Sequence, residues 1–247
     1  MVSLTKPRIP FGVSIVSIAL NLVLIVGGFA YAANSGGLRR ILMKFDMAKM
    51  PSTRQAFQIK DEERFRLLPD TAAEVVFAGD SLIADGPWGE IYSDIHNRGI
   101  GGDRTDNLLG RLDEIVASHP RKVFLLIGSN DISAGAPVVQ ILRNYRAILS
   151  KIQSDSPETK VYVSALLPVN LNCSKSPVYS NKEVQAVNEP LRGLVEEFPS
   201  ARFLDFKEQL VDPKGDLKEE YTTDGYHLNL KAYLALRRKV WAILDQP

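Results

Sequence analysis

Ser81 stands in Gly79-Asp80-Ser81-Leu82, directly after the apolar run Glu74–Ala78. A serine at a strand-to-helix turn can present its hydroxyl to solvent, and a helix N-terminus behind it favours any negative charge that forms there. Asp-Ser before a helix is equally an ordinary N-cap. Asp224 and His227 lie three positions apart in Thr223-Asp224-Gly225-Tyr226-His227-Leu228-Asn229. In a helical or turn-like segment that spacing puts both on one side. A carboxylate bonded to one ring nitrogen fixes the tautomer and leaves the other nitrogen as a base; a satisfied surface pair is the competing reading. Two further turns are rich in small and polar residues. In Asn97-Arg98-Gly99-Ile100-Gly101-Gly102-Asp103, glycines permit close backbone approach, so the turn either aims a backbone N–H at an oxyanion or is simply tight. It is neither the dinucleotide fingerprint nor a Walker loop, since the spacing and the lysine are wrong. In Gly128-Ser129-Asn130-Asp131 the Asn130 amide can donate toward the same point, although such a turn needs no function at all. Together these groups supply a nucleophile, a base, an orienting carboxylate and oxyanion donors, the parts of a serine acyl-transfer site.

Elements must bring these residues together. Continuous apolar runs at 74–78, 122–127 and 160–167 and a weaker one at 202–205 read as strands buried on both faces of a parallel sheet, and a further short strand is expected near 95–98. Helical spacing of apolar residues predicts helices over 106–118, 138–152, 182–198 and 230–244. Alternation of strands and helices implies a three-layer α/β/α sandwich with a mainly parallel five-stranded sheet. Function in such sheets collects at the carboxyl ends of the strands. Gly79-Asp80-Ser81, Gly102 and Asn130 each follow a predicted strand, and Asp224 and His227 occupy the last loop.

Gly79-Asp80-Ser81, Gly102, Asn130 and Asp224-x-x-His227 resemble the four sequence blocks of the SGNH (GDSL) hydrolases, in that family's order. The resemblance covers about residues 72–246. Ile100-Gly101-Gly102-Asp103 and Leu167-Pro168…Asn181…Val184…Asn188 are similar to the branch of platelet-activating-factor acetylhydrolases and carbohydrate O-acetylesterases. The resemblance implies a flavodoxin-like SGNH fold and a serine esterase without cofactor or metal. It implies Ser81 as nucleophile, His227 as general base, Asp224 as its orienting partner, and an oxyanion hole from the Ser81 and Gly102 N–H groups and the Asn130 amide. Asp80 reads as structural. Asp103 and Arg104 border the expected site, and Trp88 and Tyr226 are candidates for its walls or for core and surface packing.

The composition fits few-group chemistry. One cysteine, Cys173, excludes an intrachain disulfide, and three histidines leave little room for a histidine-rich metal cluster. The net charge of +1 gives no support for nucleic-acid binding. That balance conceals a basic leader, since residues 1–68 hold ten basic and four acidic side chains. Within it, the 23 residues from Phe11 to Ala33 carry no charge. As a helix they would span roughly 34 Å, enough for the ~30 Å hydrocarbon core of a bilayer. Ala30-Tyr31-Ala32 fits a signal-peptidase site, but the run is long for a cleaved leader. The sequence therefore predicts a membrane anchor over 1–34, a basic connector over 35–70 and a hydrolase domain over 71–247, with the domain outside the cytoplasm. Secretion after cleavage is the alternative. In the connector, Leu38, Ile41, Leu42 and Phe45 suit a short helix, either on the lipid headgroups or packed on the body.

The expected partners are a membrane and a small-molecule, glycan or lipid ester. The expected reaction is hydrolysis of short acyl, most simply acetyl, esters. Lysophospholipid hydrolysis, acyl transfer to a sugar hydroxyl and a non-catalytic binding role share the same residues and are the alternatives.

Overall fold

The computed structural model describes residues 53–67, 74–91 and 95–245, together with Asn21. The chain divides into two compact units, Met1–Thr53 and Arg54–Pro247, and the architecture that follows is that of the second. The predicted span at 11–33, Asn21 apart, and the predicted helix near Leu38–Phe45 lie outside the described residues. Among the described residues no helix is long and apolar enough to cross a membrane.

Five strands, β1 (Val75–Gly79), β2 (Ile95–Gly99), β3 (Lys122–Leu126), β4 (Lys160–Ser164) and β5 (Ala201–Leu204), form one parallel sheet in the order β2-β1-β3-β4-β5. β1 and β3 are buried along their whole length, which is why their sequences read as unbroken apolar runs rather than alternating ones. Phe77, Phe124 and Tyr162 are direct register partners on three adjacent strands. Their rings stack at 4.5 Å and 4.9 Å, and each such pair adds roughly 0.5–1.5 kcal/mol beyond the area it buries.

Helices flank the sheet in chain order: α1 (Thr53–Leu67), α2 (Ser81–Ala84), α3 (Trp88–Ile91), α4 (Thr105–Gly110), α5 (Leu112–Val116), α6 (Ser129–Ser133), α7 (Val138–Asp155), α8 (Asn181–Glu196), α9 (Lys207–Leu210) and α10 (Leu230–Leu244). Tyr233 of α10 meets the Trp88 indole edge-on, and Trp88 in turn stacks on Phe77, so α10 covers the aromatic face. Helices α4, α5, α7 and α8 pack side by side, with Ile141, Tyr145, Ile148 and Ile152 of α7 fully buried.

Two sequence expectations change. The single helix predicted over 106–118 is two helices, α4 and α5, joined at Arg111, whose backbone leaves the helical region (φ −113°, ψ 13°). The apolar periodicity continues through this point, but Arg111 turns inward. The second change concerns residues 53–67, which the sequence assigns to a polar connector. They form α1, and its Phe65 is 2% exposed.

Candidate active site

In this strand order the sheet reverses direction of growth between β1 and β3. Ligands in open parallel sheets bind at the carboxyl ends of the strands flanking such a switch point. Ser81 follows β1 and Asn130 follows β3. The turn bearing Gly102 follows β2.

β1 ends on Gly79 because nothing larger fits: a Cβ there would lie 2.0 Å from the Leu126 carbonyl oxygen. The chain then turns into α2. Asp80 Oδ1 accepts the Leu82 N–H at 3.0 Å, so Asp80 is the N-cap and Ser81 is the first residue of α2. Gly102 has φ 89°, a left-handed backbone that favours glycine. The Asp103 N–H closes this turn onto the Ile100 carbonyl at 3.1 Å. Among the described residues, neither the Ser81 nor the Gly102 backbone N–H donates to an acceptor of the chain. Asn130 Nδ2 donates to the Asp103 carbonyl at 2.9 Å, which fixes the orientation of its amide.

The last loop brings the remaining groups. A bridge pairs Thr222 with Leu228, and Asn229 caps α10 by accepting the Ala232 N–H. Between them, Asp224 Oδ1 accepts the Tyr226 and His227 N–H groups at 2.9 Å and 2.8 Å. Asp224 Oδ2 lies 2.6 Å from His227 Nδ1. His227 Nε2 lies 3.0 Å from Ser81 Oγ, a contact across 146 positions of sequence. Burial pushes the Asp224 carboxyl up, but the His227 side chain and the two backbone N–H groups outweigh it and hold it down at about 2. An ionised Asp224 fixes the proton on Nδ1 and leaves Nε2 as the acceptor facing the serine.

Ser81, Gly102, Asn130 and His227 line a cleft of about 580 Å³ with Gly101, Ser129, Ser133, Tyr179 and Tyr226 among its walls. Tyr226 accepts the Val178 N–H at 2.8 Å through its hydroxyl and so ties the last loop to the loop after β4. The other border candidates lie elsewhere. Trp88 is buried in the core, its indole N–H on the Ile83 carbonyl. Arg104 is exposed and pairs with Asp106 at 3.2 Å. Asp103 is 1% exposed and faces inward, paired with Arg111 at 2.9 Å; burial raises its carboxyl to about 6 against the pull of that guanidinium. Asp80 is as deeply buried, its Oδ2 has no hydrogen-bond partner among the described residues, and desolvation pushes it up to about 7. Asn188 and Asn181 do not reach substrate space. Each amide clamps the backbone of one residue at both ends, Leu166 and Val169 respectively, and so shapes the loop after β4.

Residues 77–235 match the GDSL-like lipase/acylhydrolase family. The chain belongs to that family. It is a serine hydrolase acting on ester bonds. The alpha1 subunit of platelet-activating factor acetylhydrolase IB from Rattus norvegicus is 31% identical over 183 residues, covering 71% of this chain and 76% of that subunit. The alpha2 subunit from Gallus gallus is 26% identical over 185 residues, covering 72% and 78%. A Streptococcus pneumonia structure named for platelet activating factor superposes with a TM-score of 0.71 at 31% identity, covering 84% of this chain and 99% of that one. Within this family frame, two site neighbours escaped the sequence reading. Arg111 sits in an apolar helical pattern, where an arginine reads as a solvated interruption. Tyr179 lies in a loop without periodicity.

Proposed function

We propose that this hydrolase removes short acyl groups, acetyl foremost, through Ser81, His227 and Asp224. The observation that carries this reading is the continuous relay Ser81–His227–Asp224, at 3.0 Å and 2.6 Å, opening into the cleft at the sheet's switch point. Ser81 Oγ attacks the ester carbonyl as its proton passes to His227 Nε2. Asp224 stabilises the imidazolium that results. The carbonyl oxygen, now negative, is held by the Ser81 and Gly102 N–H groups and the Asn130 amide. As the tetrahedral species collapses, His227 returns the proton to the leaving alcohol and Ser81 keeps the acyl group. Water, deprotonated by His227, then attacks the acyl-enzyme and frees the acid and the serine.

The preference for acetyl rests on the lining. Gly101, Gly102, Ser129, Asn130 and Ser133 give the cleft small walls that suit a small acyl group, beside Leu82, Ala84, Val178, Tyr179 and Tyr226. The relatives' name, acetylhydrolase, points the same way. A cleft of this volume has room for a bulky alcohol beside a small acyl group. The leader at 11–33 adds a membrane tether, with the catalytic unit outside the cytoplasm.

The test is a p-nitrophenyl ester series from two to sixteen carbons, run with fluorophosphonate labelling of wild type and Ser81→Ala. Acetyl and propionyl turnover with labelling of wild type alone supports the proposal. Equal labelling of both proteins removes Ser81 as nucleophile, and a maximum at long chains replaces acetyl with lipid. Resistance of the full chain to alkaline carbonate extraction tests the tether.

A further inference from the structure

Arg111 is 8% exposed and ends its side chain beneath the site. Its Nε donates to Asp103 Oδ2 at 2.9 Å. Its Nη2 donates to the Arg98 carbonyl at 2.9 Å and to the Gly79 carbonyl at 3.3 Å. Gly79 is two residues before Ser81, Arg98 lies at the end of β2, and Asp103 directly follows Gly102. Asp103 in turn accepts Asn130 Nδ2 through its own carbonyl. One planar guanidinium therefore ties together the segments that carry all three oxyanion donors.

Cohesion alone does not account for this cluster. Removing a guanidinium and a carboxylate from water costs about as much as their attraction returns, and apolar side chains of similar volume generally hold a core at least as well. A rigid fork of donors instead fixes direction, which lysine or an apolar residue does not. Phe65 completes the arrangement. Its ring lies 4.5 Å from the Arg98 guanidinium carbon and 5.9 Å from that of Arg111. Arg111 Nη1 is buried without a hydrogen-bond partner among the described residues, and an aromatic face beside it excludes water and attracts the cation. Phe65 belongs to α1, which precedes the family-matched span 77–235.

We infer that Arg111 is the positioning residue of the oxyanion hole, and that Phe65 of α1 seals it there. The inference rests on the proposed role of the Ser81, Gly102 and Asn130 donors. A donor displaced by even an ångström from the developing oxyanion costs on the order of 100-fold. The test compares Arg111→Gln, Arg111→Lys, Phe65→Ala and Phe65→Leu in the full chain, with folding checked by circular dichroism. Two readouts separate positioning from general integrity: kcat against KM on an acetyl ester, and inhibition by an alkylboronic acid, which becomes a tetrahedral anion on Ser81. Arg111→Gln should lower kcat about 100-fold with KM within threefold, and the boronate should weaken by a similar factor. Arg111→Lys and Phe65→Ala should each lose about tenfold in both readouts, and Phe65→Leu should recover most of the Phe65→Ala loss. A folded Arg111→Gln enzyme with near-wild-type kcat overturns the inference, as does a kcat loss that leaves boronate affinity intact. If Arg111→Gln does not fold, Arg111→Lys and Phe65→Ala decide by the same two readouts. Failure of the fluorophosphonate to label wild-type Ser81 would instead overturn the hydrolytic mechanism itself.

Discussion

Two sets of carboxylates lie within a few residues of the same reaction centre and behave oppositely. Asp224, with half of its side chain exposed, is held ionised at about 2 by three donors. Asp80 and Asp103, each 1% exposed, are pushed up to about 7 and about 6 by loss of water. Proximity to the site does not decide the charge. Water together with donated hydrogen bonds keeps the acid of the last loop negative, whereas burial drives the acids under the strand ends toward neutrality. Asp103 recovers part of that loss from Arg111, and Asp80 recovers part from the Leu82 N–H and from nearby His227.

Substitutions can break this contrast in order of effect. Ser81→Ala leaves both sets of carboxylates in place and removes the reaction. Its kcat on an acetyl ester should fall by about 10⁵–10⁶ with the thermal midpoint nearly unchanged, measured by steady-state kinetics beside a melting curve. Asp224→Asn keeps the shape of the last loop but no longer holds Nδ1 protonated. Turnover should drop by about 10³–10⁴, and a loss under tenfold would show that the exposed carboxylate does not orient His227. Asp103→Ala strips the buried guanidinium of its counter-charge, and urea unfolding should register about 3–5 kcal/mol of lost stability. Asn130→Ala should cost roughly 10²–10³ in kcat while KM stays within a few-fold, because the proposed role of the amide is toward the oxyanion and not the ground-state ester.

Asp80→Asn gives the smallest expected change and the sharpest one in sign. The raised carboxyl binds its proton more tightly in the folded chain than in the unfolded chain. Stability from this group therefore falls as pH rises from about 4 to about 7, and the cost of the buried charge is complete above that. Asparagine keeps the cap to Leu82 and carries no charge. The variant should match wild type near pH 4 and exceed it by about 2–4 kcal/mol at pH 8, read from melting curves across that range. A difference that stays flat with pH would remove burial as the cause. Asp224 contributes with the opposite sign, since its depressed carboxyl stabilises the fold above pH ~4 and loses that contribution on acidification toward pH 2.

Strands β1, β3 and β4 were the most legible elements, because burial on both faces writes itself into the chain as unbroken apolar runs. Helix α10 was equally plain over 230–244. The helix read across 106–118 failed at Arg111 because periodicity reports which positions face the core and cannot tell a solvated arginine from one folded inward onto carbonyls. Helix α1 escaped notice since its largely polar sequence carries no clear apolar period to read. In the site, Asp224 and His227 were legible by local spacing. Asp103 was expected to border the site beside Gly102, and only its burial shows it turned away from the cleft.

The sequence by itself determined the alternation of strands and helices, the family, the chemical types at Ser81, Gly102, Asn130, Asp224 and His227, and the apolar run at 11–33. These are local properties of composition and order. Only the tertiary structure decided the 3.0 Å approach of His227 to Ser81, the pairing of Arg111 with two strand ends and the turn after β2, and how readily each carboxylate ionises. Distances between remote segments depend on how the sheet stacks its strands, and ionisation depends on how much water the packed chain leaves around each group, neither of which any short stretch of residues encodes.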